Sequence, residues 1–164
     1  MTALVTISLG SNINPEFNIR RAISELIHKF GELTASPVYK TAAVGFAGED
    51  FLNLVVSLDS NFTVHEVALE LKAIEDRIGR DRSQAKFSAR SIDLDLLTYD
   101  NLVLDEPGLQ IPRNEILQNA FVLKPLSDIH ENVKHPQLGV SYGQLWQEME
   151  GRADRIEPYK MNLK

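Results

Sequence analysis

Apolar and polar residues alternate along "ALVTISL" at 3–9, and its β-branched content predicts a strand, closed by the turn "GSN". Beyond the turn the period lengthens: Phe17, Ile19, Ala22, Ile23, Leu26, Ile27 and Phe30 recur at helical spacing. Asn14 as N-cap, Pro15 at the first helical position and Gly31 bound that helix. Residues 32–41 predict a second strand, "AAVGFAGED" (42–50) a loop and "FLNLVVSLD" (51–59) a third strand. Thr63, with Glu66 three residues on, forms a capping box that opens a helix running to about Ile78 and ended by Gly79. A charged stretch without period predicts a mobile loop, which delivers the chain into another strand, "ARSIDLDLLTYD" (89–100). The pattern then predicts a short helical segment near 114–118, a strand over "FVLKPL" (121–126) and a helix near 141–149. The polar tail from Gly151 carries no assignment.

Strand, helix, strand, strand, helix, strand is the ferredoxin-like order. It predicts an α+β fold, a ferredoxin-like antiparallel sheet with helices packed on one face, plus C-terminal additions. The other face is left for ligands. A fold names no function by itself, so the site residues must.

The fourth strand poses the chemical question, because Asp is disfavoured in strands and burying an unpaired charge is costly. Alternation sends Ile92, Leu94 and Leu96 to one face and Ser91, Asp93 and Asp95 to the other. Carboxylates at i and i+2 have roots roughly 7 Å apart and can turn toward a shared space. Like charges raise each other's pKa, and a divalent cation removes that conflict. Oxygen ligands suit Mg²⁺, which takes one or two protein carboxylates and fills its shell with water and substrate phosphates. Two such ions about 4 Å apart form the arrangement used in phosphoryl chemistry. A solvated outer strand face would carry the same two residues, so the pair alone does not decide.

Charge changes the picture. The chain of 164 residues has a net charge of -6, which argues against a general nucleic-acid binder. Yet "RIGRDRSQAKFSAR" gathers Arg77, Arg80, Arg82, Lys86 and Arg90 against one acid, Asp81, directly before the Asp pair. Arginine dominates that island, and its planar fork grips phosphate oxygens bidentately. Glu75 is placed to anchor Arg80 or Arg82, or to stand as a surface carboxylate. No Walker pattern is present, although "GSN" resembles a phosphate-cradling turn. The histidines His28, His65, His130 and His135 lack ligand spacing, and Ser8 and Ser11 have no identifiable histidine partner. The absence of cysteine excludes disulfides and thiolate sites. With no leader pattern and no long apolar run, the chain reads as one domain, residues 1–164, soluble, cytoplasmic and monomeric.

"SLGSN" at 8–12, Thr41, "DFLN" at 50–53, "IEDRIGRDR" at 74–82, "RSIDLDLL" at 90–97, Pro112 and "FVLKPL" at 121–126 stand in a telling order. In order and spacing they resemble the 6-hydroxymethyl-7,8-dihydropterin pyrophosphokinases of folate biosynthesis, over about residues 3–126. The resemblance implies Mg-dependent transfer of pyrophosphate from ATP to the pterin hydroxymethyl group, releasing AMP. It implies that Asp93 and Asp95 hold two Mg²⁺ ions, and that Arg80, Arg82, Arg90 and Leu96 contact ATP; Arg113, which departs from the family pattern, is expected to contact ATP on the ground of its charge alone. Arg80, Arg90 and Asp95 are the expected catalytic residues. Phe51 and Phe121 would sandwich the pterin, and Asn53 would read its polar edge with backbone at Thr41 and Val44. Stacking in an apolar slot with a few amide contacts suits a flat heteroaromatic ring. Each Phe taken singly is equally at home in a core.

The chain departs from the family pattern at several positions. Arg113 and Asn114 follow Pro112 where His and then an aromatic residue or proline are usual, and Asn119 stands where Arg is usual. No proline follows Thr41, and Phe87 replaces a common tryptophan. Arg113 is expected to replace the charge lost at Asn119. These changes keep open a divergent relative that binds pterin or nucleotide with low activity or uses another pterin alcohol. A ferredoxin-like nucleic-acid-binding module, the reading from another class, would need exposed aromatics on central strands and a basic sheet.

Overall fold

The computed structural model describes residues 2–42, 50–80, 91–152 and 155–163, with Arg80 described by its backbone only. The elements are β1 (Ala3–Ser11), α1 (Pro15–Phe30), β2 (Leu33–Ala35), β3 (Val38–Thr41), β4 (Phe51–Ser60) and α2 (Val64–Arg80). They continue as β5 (Asp93–Tyr99), β6 (Leu104–Glu106), β7 (Leu109–Ile111), α3 (Glu115–Gln118), α4 (Ala120–His130), α5 (Tyr142–Met149) and β8 (Glu157–Tyr159). The main sheet is antiparallel in the order β5-β1-β4-β3-β8, with β2 paired to β4, while β6 and β7 form a separate hairpin. No helix among the described residues is long and apolar enough to cross a membrane.

Alternation along the strands builds the main core. Val5, Ile7 and Leu9 of β1, Leu54, Val56 and Leu58 of β4, and Leu94 and Leu96 of β5 point to one face. Against them pack Ile19, Ala22, Ile23 and Leu26 of α1 with Val67, Leu71, Ile74 and Ile78 of α2, the stripe that a 3.6-residue period provides. The capping box forms as read: Thr63 N–H donates to Glu66 Oε1 at 2.8 Å, and Glu66 N–H to Thr63 Oγ1 at 3.2 Å. Asn14 adopts the left-handed conformation (φ 41°) before α1.

Several expectations change. The segment 32–41 divides into β2 and β3 because Ser36 turns inward, its N–H donating to Val55 O and its Oγ accepting from Val55 N–H, both at 2.9 Å. Gly79 does not end α2, which runs on to Arg80. "FVLKPL" is helical, the first half of α4, with Pro125 inside it. Short apolar runs do not distinguish strand from helix, and here a second hydrophobic cluster decides. Val122, Leu123 and Leu126 of α4 bury with Ile116 and Tyr142 against Val55 and Leu97, on the sheet face opposite α1 and α2. Helices therefore cover both faces rather than one, and among the described residues the N-terminal end of α4 borders a cleft on the second face. The tail, unassigned from sequence, adds β8 along β3.

Two histidines sit in this second layer. His130 Nε2 lies 2.7 Å from Ser57 Oγ, and the nearly fully buried His135 accepts at Nδ1 from the N–H groups of Gln137 and Leu138 at 3.2 and 3.3 Å. Burial holds both imidazoles below the ordinary value of 6.5. A group whose pKa is depressed on folding contributes stability above its unfolded pKa and loses it as pH falls through the folded value. The melting temperature is thus expected to fall as pH drops below about 6.5, with a shallower fall in His130→Gln; thermal denaturation across that range checks this.

Candidate active site

On the open half of the second face, the register places Asp93 opposite Gly10, Asp95 opposite Ser8, and Asn53 on the other side of Gly10. The two carboxylates and the amide of Asn53 thus flank a bare glycine at the centre of the sheet. Between Thr6 and Ile7 the pairing shifts, so that Ile7 meets Leu96 while Thr6 meets Thr98. Leu97 is the extra residue of this bulge, and its side chain drops into the second core. The strand is thereby anchored next to the acidic pair.

These residues line a cleft of about 350 Å³. Ser8, Leu9 and Gly10 form its floor, Asp93 and Asp95 one side, and Thr41, Phe51 and Asn53 the other. Glu115, Asn119 and Phe121 close it from the segment after β7. The structure therefore brings Asp93, Asp95, Thr41, Phe51, Asn53 and Phe121, separated by up to eighty residues in the chain, into one space. Asn53 Nδ2 donates to Thr41 Oγ1 at 3.0 Å, which fixes the amide. β3 is also tied to α4: the Tyr39 hydroxyl donates to Asp128, and Asp128 also pairs with Lys124 at 2.7 Å. Burial, together with the Asp128 carboxylate, pushes the Tyr39 phenol well above its usual range.

Gly10 is the floor residue that sequence reading passed over except as part of "SLGSN". A Cβ there would stand 3.0 Å from Asn53 Oδ1. Gly10→Ala is expected to push Asn53 off its bond to Thr41 and, for the pterin that the sequence resemblance implies, to weaken binding about tenfold, the scale of one disturbed buried polar contact, as calorimetry would measure. Ser8 and Gly10 share the face with the acids by simple alternation, and that is the signal that could have found them.

β5 is an edge strand of the main sheet, and Glu75 of α2 accepts its Leu94 N–H at 2.7 Å. The carboxylate expected to anchor Arg80 or Arg82, or to lie on the surface, thus pins the strand that carries the acids. Ser11, fully buried, donates to Ser91 O at 2.5 Å, so "GSN" ties the end of β1 to the entry of β5. Arg113 Nη2 stands 3.5 Å from Asp95 Oδ1, and its Nε donates to Glu115 Oε2 at 2.6 Å. It therefore brings a guanidinium to Asp95 and Glu115, two carboxylates that line the cleft.

The remaining sequence-derived residues are placed as follows. Leu96 packs into the α1/α2 core, so only its backbone remains for the expected ATP contact. Arg77 leaves the cationic island: it pairs with Glu25 and Glu70 at 2.8 and 3.0 Å, across the outer surfaces of α1 and α2. Arg80 ends α2. Val44, Arg82, Lys86 and Arg90 lie outside the described residues, as does the rest of the loop expected to be mobile.

No group of three or more His, Asp or Glu able to hold a metal occurs among the described residues. A two-carboxylate set opening on a cleft fits Mg²⁺ that arrives with substrate phosphates to complete its shell.

The whole chain superposes on part of a solved HPPK-DHPS protein of Plasmodium falciparum, with a TM-score of 0.72 at 14% identity, covering 46% of that chain. This likeness defines the class of fold, a mixed helix and antiparallel-sheet domain of the HPPK kind. Sequence takes the assignment further. A pyrophosphokinase of Aquifex aeolicus acting on 2-amino-4-hydroxy-6-hydroxymethyldihydropteridine is 32% identical over 136 residues, 82% of this chain and 84% of its own. One of the same name from Pseudomonas aeruginosa is 33% identical over 140 residues, 83% and 86% of the two chains. The chain belongs to the 7,8-dihydro-6-hydroxymethylpterin-pyrophosphokinase family, whose profile matches residues 6–131, and it is an ATP-dependent diphosphotransferase.

Proposed function

We propose that the cleft described above transfers pyrophosphate from MgATP to the hydroxymethyl group of 6-hydroxymethyl-7,8-dihydropterin. The observation that carries this is the meeting of the Asp93/Asp95 pair with an aromatic and amide slot in one cleft. Asp93 and Asp95 would hold two Mg²⁺ ions, which supply charge neutralisation for the ATP phosphates and orient them. Phe51 and Phe121 sandwich the pterin ring, and Asn53, fixed by Thr41, reads its polar edge with backbone at Thr41 and Val44. The pterin hydroxyl oxygen attacks the β-phosphorus in line, the bond from that phosphorus to the oxygen bridging to the α-phosphate breaks, and AMP leaves. Asp95 or water takes the hydroxyl proton. Arg80, Arg82 and Arg90 bind the phosphates, with Arg80 and Arg90 stabilising the charge that spreads in the transition state. Arg113 adds a cation at the rim in place of the one missing at Asn119, and Leu96 contributes backbone.

In this reading the sheet core β5-β1-β4-β3 is a ferredoxin-like arrangement with β8 as a C-terminal addition, and residues 1–164 act as one domain, a cytoplasmic monomer. A coupled assay for AMP, run with and without the hydroxymethyl pterin, tests the proposal. Pterin-dependent AMP is the expected result. Its absence, with retained nucleotide or pterin binding, would favour a divergent relative instead, a reading that Arg113 and Asn119 motivate.

A further inference from the structure

Residues 157–163 lie beyond the segment that the family matches, yet the first three are bound into the sheet beside β3, which ends at the cleft. β8 pairs antiparallel with β3, placing Val38 opposite Tyr159, Tyr39 opposite Pro158 and Lys40 opposite Glu157. Without β8, β3 would be an edge strand of four residues, paired on one side only, through Tyr39, Lys40 and Thr41. Its remaining holds would be the β4 pairing, the buried Val38 and Tyr39 side chains and the Tyr39–Asp128 bond, so loss of β8 lowers the cost of local opening at its exposed edge. It is also the strand that ends at Thr41, whose hydroxyl fixes Asn53.

The strap is fastened at its far side as well. The Tyr159 hydroxyl donates to Glu16 Oε2 at 2.5 Å, and Arg20 Nε donates to Asn162 O at 2.6 Å, both anchors on α1. Arg20 Nη2 reaches Glu16 Oε1 at 3.2 Å, joining the two anchors. Tyr159, Met161 and Leu163 pack partly buried on the main core. The tail thus runs from β3 to the first helix, and none of its described residues 157–163 is among those lining the cleft.

We propose that this C-terminal strap is a positioning element for the pterin side of the site: by clamping β3 to α1 it holds Thr41, and through Thr41 the Asn53 amide, in register for the pterin edge. The proposal rests on the assignment of Thr41, Phe51 and Asn53 to pterin. Tyr159 and Arg20 are positioning residues that act through β3 and touch no substrate. The acidic side is pinned separately, by Glu75 and by the Leu97 bulge, so the strap acts on pterin and not on ATP.

Two variants of the full chain test this: the double variant Tyr159→Phe with Arg20→Ala, which removes both anchors but keeps β8, and a truncation after Arg155. Pterin affinity is titrated calorimetrically with Mg²⁺ and a saturating non-hydrolysable ATP analogue, and the analogue's own affinity is measured alongside. The double variant is expected to lose about fivefold in pterin affinity and the truncation more than about tenfold, with analogue affinity held within about twofold, the range of modest site-to-site coupling. Amide exchange in β3 is expected to quicken while that in β1 stays unchanged. Equal losses for both ligands, or unchanged pterin affinity with faster β3 exchange, would overturn the proposal. If the truncated chain fails to fold, the double variant alone decides. Should the wild type bind no pterin, the pterin assignment itself fails, an outcome distinct from a wild type that binds pterin and variants that bind it equally well.

Discussion

Asp95→Ala is expected to abolish the Mg²⁺-dependent part of ATP-analogue binding and to lower the rate of AMP release by about 10³-fold, the scale of losing one preorganised electrostatic contact at a reacting phosphate. Asp95 is 38% exposed at its side chain and open to the cleft, with Asp93 two residues away on the same strand face. In the proposed site, removing it leaves one carboxylate where two would hold the Mg²⁺ ions. It also frees Arg113, which then has Glu115 as its remaining carboxylate partner among the described contacts. The fold should survive, because the strand is held by Leu94 and Leu96 in the main core, Leu97 in the second, and the Glu75 bond to Leu94 N–H. Calorimetry with and without Mg²⁺ reads the binding term, and a thermal melt close to that of the wild type separates it from misfolding. Binding that remains Mg²⁺-dependent and as tight as in the wild type would remove Asp95 from the metal site.

Phe121→Ala is expected to weaken pterin binding by about 10- to 100-fold while leaving ATP-analogue affinity nearly unchanged, given the apolar area an aromatic ring covers. Phe121 stands at the start of α4, half-buried at the edge of the second core, with its ring on the cleft. Phe51 approaches from β4 on the opposite side of the aromatic slot. Truncating Phe121 removes one cover of the proposed slot, and the side lined by Asp93 and Asp95, proposed for MgATP, lies across the floor from it. The separation of the two affinities is the diagnostic result. If both fell together, the phenylalanine would be serving α4 packing and not the ligand.

The acidic pair was legible in the sequence because strand alternation is a local property: once β5 is recognised, Asp93 and Asp95 must share a face and Leu94 and Leu96 the other. The same locality made α1, α2 and the Thr63–Glu66 cap readable from spacing alone. "FVLKPL" was misread because six apolar-rich residues fit either period, and the choice depends on Val55 and Leu97, which are distant in sequence. Arg77 was misread for a related reason. Its membership of a cationic run is visible in one dimension, whereas its partners Glu25 and Glu70 are brought to it by the packing of α1 on α2.

By itself, then, the sequence determined the secondary elements whose period is carried by their own residues, the pairing of two carboxylates on one strand face, and a motif order that resembles one enzyme family. Tertiary structure alone decided that α4 and α5 cover half of the second face, that a bulge at Leu97 fixes the acidic strand, that Gly10 leaves the cleft floor bare, and that the tail clamps β3. The division has a physical cause. Backbone periodicity is set by neighbours a few residues apart, but the burial of an apolar surface and the pairing of an edge strand are satisfied by whatever partner the rest of the chain delivers.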